Sequence, residues 1–231
     1  MKWICFILLF FNSLYIFDSP HTTKYVIKKE TSKKKSFYSG IDISHYQNKI
    51  NYKKLDTLDF VICKKSEGIS LSDQKFNQHF DSIKCLKGAY HFFRPECDGE
   101  TQAKFFLNGL DINKLDIKPV IDVEFCQTWN KQKLDISVNN LLKMTNYIED
   151  ELGKKPIIYT SPIFWNKYLS NKIEKNNFIL WVADYRKSES PEVPKGFKDW
   201  VIWQKTPSYK VDGINGNVDL NICKNIDSIT F

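Results

Sequence analysis

The chain has 231 residues, 42% hydrophobic and 15% aromatic, and carries a formal net charge of +7. That apolar content supports one folded core and argues against a disordered chain. The charge is uneven: seven lysines against Asp18 and Glu30 leave residues 1–40 at +5 and the other 191 at +2, so the folded part carries no electrostatic footprint for nucleic acid.

Met1 and Lys2 precede an apolar run at residues 3–17. It is shorter than the roughly 20 residues that span a bilayer and suits a signal-peptide core. No small-residue cleavage site follows in FDSP (17–20), so residues 1–20 are read as a signal peptide or a membrane anchor, the second of which implies membrane attachment through 3–17. A lysine-rich tether covers 21–38, and one domain covers 39–231. This segment alone leaves export near even; the function that the residues below imply tips the expectation toward export, as a secreted, periplasmic or membrane-anchored protein.

From residue 37 on, short apolar runs alternate with helical spacing. Strands are predicted at 37–44, 59–66, 87–93, 118–124 and 156–160. Helices are predicted at 72–86, 100–110, 135–152 and 162–169; Asp135 is expected to cap the long one and Gly153 to end it. Three more strands, at 178–184, 200–205 and 216–221, follow without helical spacing between them. Five βα-like units and three strands predict an α/β fold, an eight-stranded TIM-like (β/α)5(β)3 barrel. An open α/β sheet is the alternative.

The active site of such a barrel lies at the C-terminal strand ends. Those ends carry Asp42, Glu67, Tyr90, His91, Phe92, Asp122, Glu124, Tyr159, Trp181, Asp184, Gln204 and Asp219. Clustered carboxylates repel and are costly to bury, so folding alone does not call for them. Asp122 and Glu124 stand two apart on one strand and so share a face. Crowding should raise the pKa of one, giving a protonated acid beside an ionised partner, as glycoside cleavage requires. The bland alternative is a salt-bridged structural pair. A Mg²⁺- or Ca²⁺-dependent phosphoesterase also fits clustered acids, but aromatic neighbours and the lack of a phosphate-cradling loop point to sugar. No metal and no cofactor is expected. His91 is read as a packed barrel histidine, with His45 its nearest candidate companion.

Six cysteines form no CxxC metal pair. Cys63 and Cys85 read as buried thiols. Cys97 and Cys126 follow neighbouring strands on one rim, where an exported protein could bridge them; five reduced thiols is the favoured expectation.

These residues resemble glycoside hydrolase family 25, lysozymes that include fungal and phage muramidases. The resemblance runs from about 39 to 223. It is carried by GIDISHYQ (40–47), KKSEG (64–68), GAYHFFRP (88–95), QAKFFL (102–107), KPVIDVE (118–124), IIYTSPIFW (157–165), LWVADY (180–185), IWQ (202–204) and VDLN (218–221). Asn48 and Cys63 depart from the family's usual residues. The resemblance implies a barrel with five helices and cleavage of the β-1,4 bond between N-acetylmuramic acid and N-acetylglucosamine in peptidoglycan glycan strands. It implies Glu124 as general acid and Asp122 as the group holding the substrate's 2-acetamido substituent, an internal nucleophile. Asp42 is a third catalytic candidate. Asp219, Asp184, Glu67, Tyr90, Phe92, Tyr159, Trp181 and Gln204 are substrate-binding candidates, and Glu67 is expected to orient a neighbour. A monomer is expected. A carbohydrate-binding barrel without catalysis would lack the acid or its partner, and both are present.

Overall fold

The computed structural model describes residues 36–173 and 178–231. The expected signal peptide or anchor, nearly all of the tether and Cys5 lie outside the described residues. No described helix is long and apolar enough to cross a membrane.

The strands are β1 (Tyr38–Ile43), β2 (Phe60–Glu67), β3 (Leu71–Ser72), β4 (Leu86–Phe92), β5 (Val120–Asp122), β6 (Ile157–Thr160), β7 (Ile179–Ala183), β8 (Ile202–Tyr209) and β9 (Val218–Cys223). The helices are α1 (Phe76–Ser82), α2 (Gly99–Leu107), α3 (Leu134–Leu152) and α4 (Pro162–Tyr168). The hydrogen-bonded order β1-β9-β8-β7-β6-β5-β4-β2 closes on itself through β1–β2. The expected eight-stranded α/β barrel is therefore present, and the open sheet is excluded. β3 is a two-residue strand folded back on β2, outside the ring.

Five helical crossovers serve the parallel strands. The first is a 3-10 helix, Tyr52–Thr57, and α1 to α4 are the other four. The link from β7 to β8 has no helix, as its composition foretold. The ring is not all-parallel: β9 runs antiparallel to both β8 and β1, which sets it apart from a TIM barrel. The reason is the short link from β8 to β9. A parallel return needs a crossover of a dozen residues or more, whereas an antiparallel one needs only a turn.

Alternation along the strands sorts the side chains into two layers. Phe60, Ile62, Val120, Ile157, Tyr159, Trp181, Ile202 and Cys223 pack together inside the barrel. Ile41, Ile43, Val61, Ala89, Ile121 and Ile158 face outward onto the helices, against Phe80, Phe106, Leu141, Met144 and Ile148. Leu180 and Val182 are covered by Trp200 and Trp203 instead of a helix.

Some boundaries move from those predicted. The 72–86 helix contracts to α1 because Leu71–Ser72 are taken by β3 and Leu86 opens β4. Asp135 does not cap α3. A 3-10 turn, Lys131–Lys133, runs straight into that helix, and Asn130 caps the turn through Gln132 N at 2.9 Å. Asp135 sits in the first helical turn, paired with Lys172 at 2.7 Å. Gly153 ends α3 as expected, in the left-handed region at φ 64.

Helices α2 and α3 meet at backbone contact through Gly99. A Cβ there would lie 1.8 Å from the Asn140 carbonyl oxygen and 2.9 Å from Met144 N. Gly99→Ala should therefore push the two helices apart and destabilise the fold by about 1–3 kcal/mol. Urea unfolding with an unchanged midpoint would show that the contact yields freely.

Candidate active site

The mouth of the barrel is where the parallel strands end and β9 begins. Asp219, expected at a C-terminal strand end, lies instead near the N-terminal end of β9. Because β9 is antiparallel, that position comes to the same rim, and Asp219 pairs directly with Asp42 in the β1–β9 register. Asp122 lies between Phe92 of β4 and Tyr159 of β6. Asp42, Asp122, Glu124 and Asp219 converge on one cavity of about 250 Å³, whose walls include Tyr90, Tyr159, Trp181 and Gln204.

Asp122 is the last residue of β5, and Glu124 stands just beyond it. The ladder continues past the strand, since Val123 N donates to Tyr159 O at 2.8 Å. The Trp129 indole donates to the Glu124 carbonyl at 2.8 Å. Trp129 is itself wedged against Phe93, Phe164 and Tyr168, so an aromatic cluster fixes the backbone that presents the carboxyl. Asp122 is buried, and its Oδ1 has no hydrogen-bond partner among the described residues. Burial and the Glu124 charge hold its pKa well above the usual carboxylate value. Burial raises Glu124 too; Lys64 pulls it down and Asp219 pushes it up.

Asp42 is the best-held carboxyl. Asn221 Nδ2 donates to its Oδ1 at 2.7 Å and Gln204 Nε2 at 3.0 Å. The Gln204 carbonyl accepts from Tyr159 OH at 2.8 Å and from Tyr185 OH. The Asn221 carbonyl accepts from Trp181 Nε1 at 2.9 Å. Despite these donors, burial and the Asp219 charge raise the Asp42 pKa to about 8.

Three candidates stand outside this cavity. Glu67 accepts from Lys64 Nζ at 2.7 Å and Arg94 Nε at 2.9 Å. Burial opposes its ionisation, but these bonds prevail and lower its pKa. Phe92 does not line the cavity; its ring lies 5.2 Å from Lys64 Nζ and 5.1 Å from Arg94 Cζ. Asp184 lines an adjoining cavity of about 590 Å³ that also reaches Glu124, Ile163 and Tyr185. Its oxygens already accept from Arg186 Nε at 2.9 Å, Arg186 Nη2 at 2.7 Å and Glu192 N at 2.8 Å, and the Arg186 bonds hold its pKa down at about 2.

His91 faces the helices, between Ser66 Oγ at 2.9 Å and Gln102 Oε1 at 3.3 Å, and burial lowers its pKa to about 4. His45 pairs with Asp73 instead, at 2.8 Å. The five described cysteines are free. No group of three or more described His, Cys, Asp or Glu side chains is arranged to hold a metal ion. Asn221, Tyr185 and Lys64 escaped the sequence reading as site residues. Asn221 is two positions from Asp219 on one strand, and that spacing was the available signal.

The model of the glycosyl hydrolases family 25 matches residues 41–214. Over 195 residues the chain is 33% identical to the Escherichia coli K12 protein YegX, described as uncharacterized, covering 79% of this chain and 68% of YegX. It is 29% identical over 201 residues to Lysozyme M1 of Streptomyces globisporus, covering 79% and 66% of the two chains. The crystal structure of the bacterial lysozyme from Streptomyces coelicolor matches with a TM-score of 0.74 at 26% identity, over 81% of this chain and 92% of that one. Closed barrel, acidic mouth and family match agree, and the chain belongs to glycosyl hydrolase family 25.

Proposed function

We propose that this hydrolase is a muramidase that cuts the β-1,4 bond between N-acetylmuramic acid and N-acetylglucosamine in peptidoglycan. The observation that carries the reading is the Asp122–Glu124 pair, one buried and one half-buried carboxyl, both of raised pKa and lining one cavity. Similarity to Lysozyme M1 supports the substrate.

Glu124 is the general acid. It lines both the carboxylate cavity and the adjoining one, so a glycan lying across the two has its scissile oxygen beside this side chain. Glu124 gives its proton to the leaving oxygen. The carbonyl oxygen of the substrate's own 2-acetamido group attacks the anomeric carbon as that bond breaks. Asp122 accepts a hydrogen bond from the acetamido N–H at its unpartnered Oδ1, and its carboxylate stabilises the positive charge that develops. Water then opens the cyclic intermediate with Glu124 as base, and the anomeric configuration is retained. Asp42 and Asp219 share the floor, where Asp42 keeps a proton at neutral pH. Tyr90, Tyr159, Trp181 and Gln204 line the sugar site. Glu67 and Asp184 orient Lys64 and the Arg186 loop, and Phe92 supports Lys64 from below.

In this reading residues 1–20 direct export or anchor the chain, 21–38 tether it, and 39–231 work as a monomer on wall glycan. Digestion of purified peptidoglycan, with fragments identified by mass and reducing end, tests the bond cut. Fragments ending in reducing N-acetylmuramic acid are expected, and any other reducing end would overturn the assignment.

Glu124→Gln should lower wall hydrolysis at least about 10²-fold with an unchanged circular dichroism spectrum. Activity within a fewfold of the parent would remove Glu124 from the acid role. Asp122→Asn should also cripple turnover, and products of the parent enzyme followed by NMR should appear with retained configuration. Inversion, or a sugar covalently attached to Asp122, would refute the acetamido route.

The proton on Asp42 has a stability consequence. Its folded pKa of about 8 exceeds the ordinary 3.8, so between those values the folded state binds a proton that the unfolded chain releases. Stability from this group is present at low pH and is lost as pH rises toward 8. Asp219→Asn removes the like charge and should stabilise the fold at pH 8 by on the order of 1 kcal/mol, with the difference closing near pH 4. Denaturant midpoints offset equally at both pH values would break the link.

A further inference from the structure

Hydrolysis by the Asp122–Glu124 pair needs one neutral and one ionised carboxyl, yet most of the surroundings push both toward neutrality. Facing the pair are Asp42 from β1, Asp219 from β9, Tyr90 from β4, Tyr159 from β6 and Tyr185 beyond β7. All are acids or neutral phenols. β2 adds Lys64 and Glu67, and the segment after β4 adds Arg94.

Lys64 shares the inward face of β2 with Phe60 and Ile62. Among inward positions at the mouth end of the described strands it is the one lysine or arginine. Register sets it beside Tyr90, and sets Phe92 beside Asp122. Its ammonium, on a side chain only 16% exposed, donates to Glu67 at 2.7 Å and lies 5.2 Å from the centre of the Phe92 ring. Arg94 Nε ties Glu67 from the other side at 2.9 Å. Two cations on one carboxylate leave this trio with a net positive charge; Lys64 and Glu67 line a separate small cavity with His45 and Asp73, and Lys64 is the strand neighbour of Tyr90, which lines the four-acid cavity.

We propose that Lys64, held by Glu67 and Phe92, is a positioning residue of the hydrolysis: its ammonium keeps one member of the Asp122–Glu124 pair ionised while the other carries the proton. Charge of this sign close to a buried carboxyl is the influence that favours the ionised form. Burial raises both carboxyls, and the Lys64 charge acts against it at each. Glu67 fixes where that charge sits, which gives this carboxylate a task although it lies outside the cavity. The inference rests on the assignment of hydrolysis to the pair.

The test is the pH dependence of kcat and kcat/KM on solubilised peptidoglycan for the full chain, in Lys64→Gln, Lys64→Arg and Glu67→Gln. Removing the positive charge should move both limbs of the Lys64→Gln profile upward by about one pH unit or more. Its rate on the acid side should then fall about tenfold per unit of that shift, with KM little changed. Lys64→Arg should return the limbs close to the parent. Glu67→Gln keeps an acceptor that holds the Lys64 ammonium in place but removes a negative charge, and should move them the other way. Loss of amplitude with unmoved limbs, or shifts of one sign in both Lys64→Gln and Glu67→Gln, would overturn the proposal. If Lys64→Gln does not fold, as judged by thermal melting, a downward shift in Glu67→Gln supports it and an unmoved limb in that variant overturns it. Glu124→Gln separates the two levels. Retained activity there defeats the assignment of the pair, whereas an inactive Glu124→Gln with unmoved limbs in the Lys64 variants defeats the role of Lys64 alone.

Discussion

Four carboxyl groups in one small, partly water-excluded cavity are the constraint that the rest of this structure must meet. Asp42, Asp122, Glu124 and Asp219 all have raised pKa values, and burial leads the causes in each case. Like charges in such a place cannot all ionise. An arrangement of this kind persists only if the surrounding frame is stiff enough to prevent the groups from swinging apart into water. Closure of the ring supplies that stiffness. A strand with neighbours on both sides cannot shift register without breaking two ladders, and a one-residue slip would turn every inward carboxyl outward.

The frame reaches the carboxyls through a second set of bonds. Asp42 is bound by Gln204 and Asn221, and these are fixed in turn by Tyr159, Tyr185 and Trp181. The contributing residues come from β1, β6, β7, β8 and β9 and the turn after β7, so the network spans more than half of the barrel mouth. Each polar group in it has a partner, which is what allows such a network to be buried. Asp122 lies outside it with Oδ1 unpaired, as is Thr160 Oγ1 among the described residues. An unmet acceptor beside a fully satisfied network is a natural place for a substrate N–H.

Much of this was legible in the sequence because period-two alternation is a strong signal. Of the twelve residues predicted at the strand ends, Asp42, Tyr90, Asp122, Glu124, Tyr159, Trp181, Gln204 and Asp219 line one cavity, whereas Glu67, His91, Phe92 and Asp184 do not. Three things were not legible. The direction of β9 depends on how the 210–217 segment turns, and the strand's own residues read the same in either direction. The engagement of Glu67 and Asp184 depends on Arg94 and Arg186, which lie 27 and 2 residues away in sequence; spacing reveals the second pair only when the loop geometry is known. The 3-10 turn before α3 could not be seen either, because Asp135 before an apolar stripe looks like a cap whether or not the chain is already helical there.

The placement of the cations then explains how acids of two kinds coexist on one rim. The chain has only two arginines, Arg94 and Arg186. Each holds a carboxylate outside the four-acid cavity, Glu67 and Asp184. A guanidinium stays protonated at any working pH and grips a carboxylate in fixed geometry, so these two acids are locked in the ionised state; both pKa values are lowered. No arginine bonds the four acids of the cavity, and all four pKa values are raised. An arginine there would fix every proton permanently, whereas acid–base catalysis requires that one proton leave and return. The cation given to that neighbourhood is a lysine, Lys64, and it bonds Glu67 instead of the cavity acids. Its charge reaches the pair, but its hydrogen bond does not, so it biases the proton on the pair without trapping it.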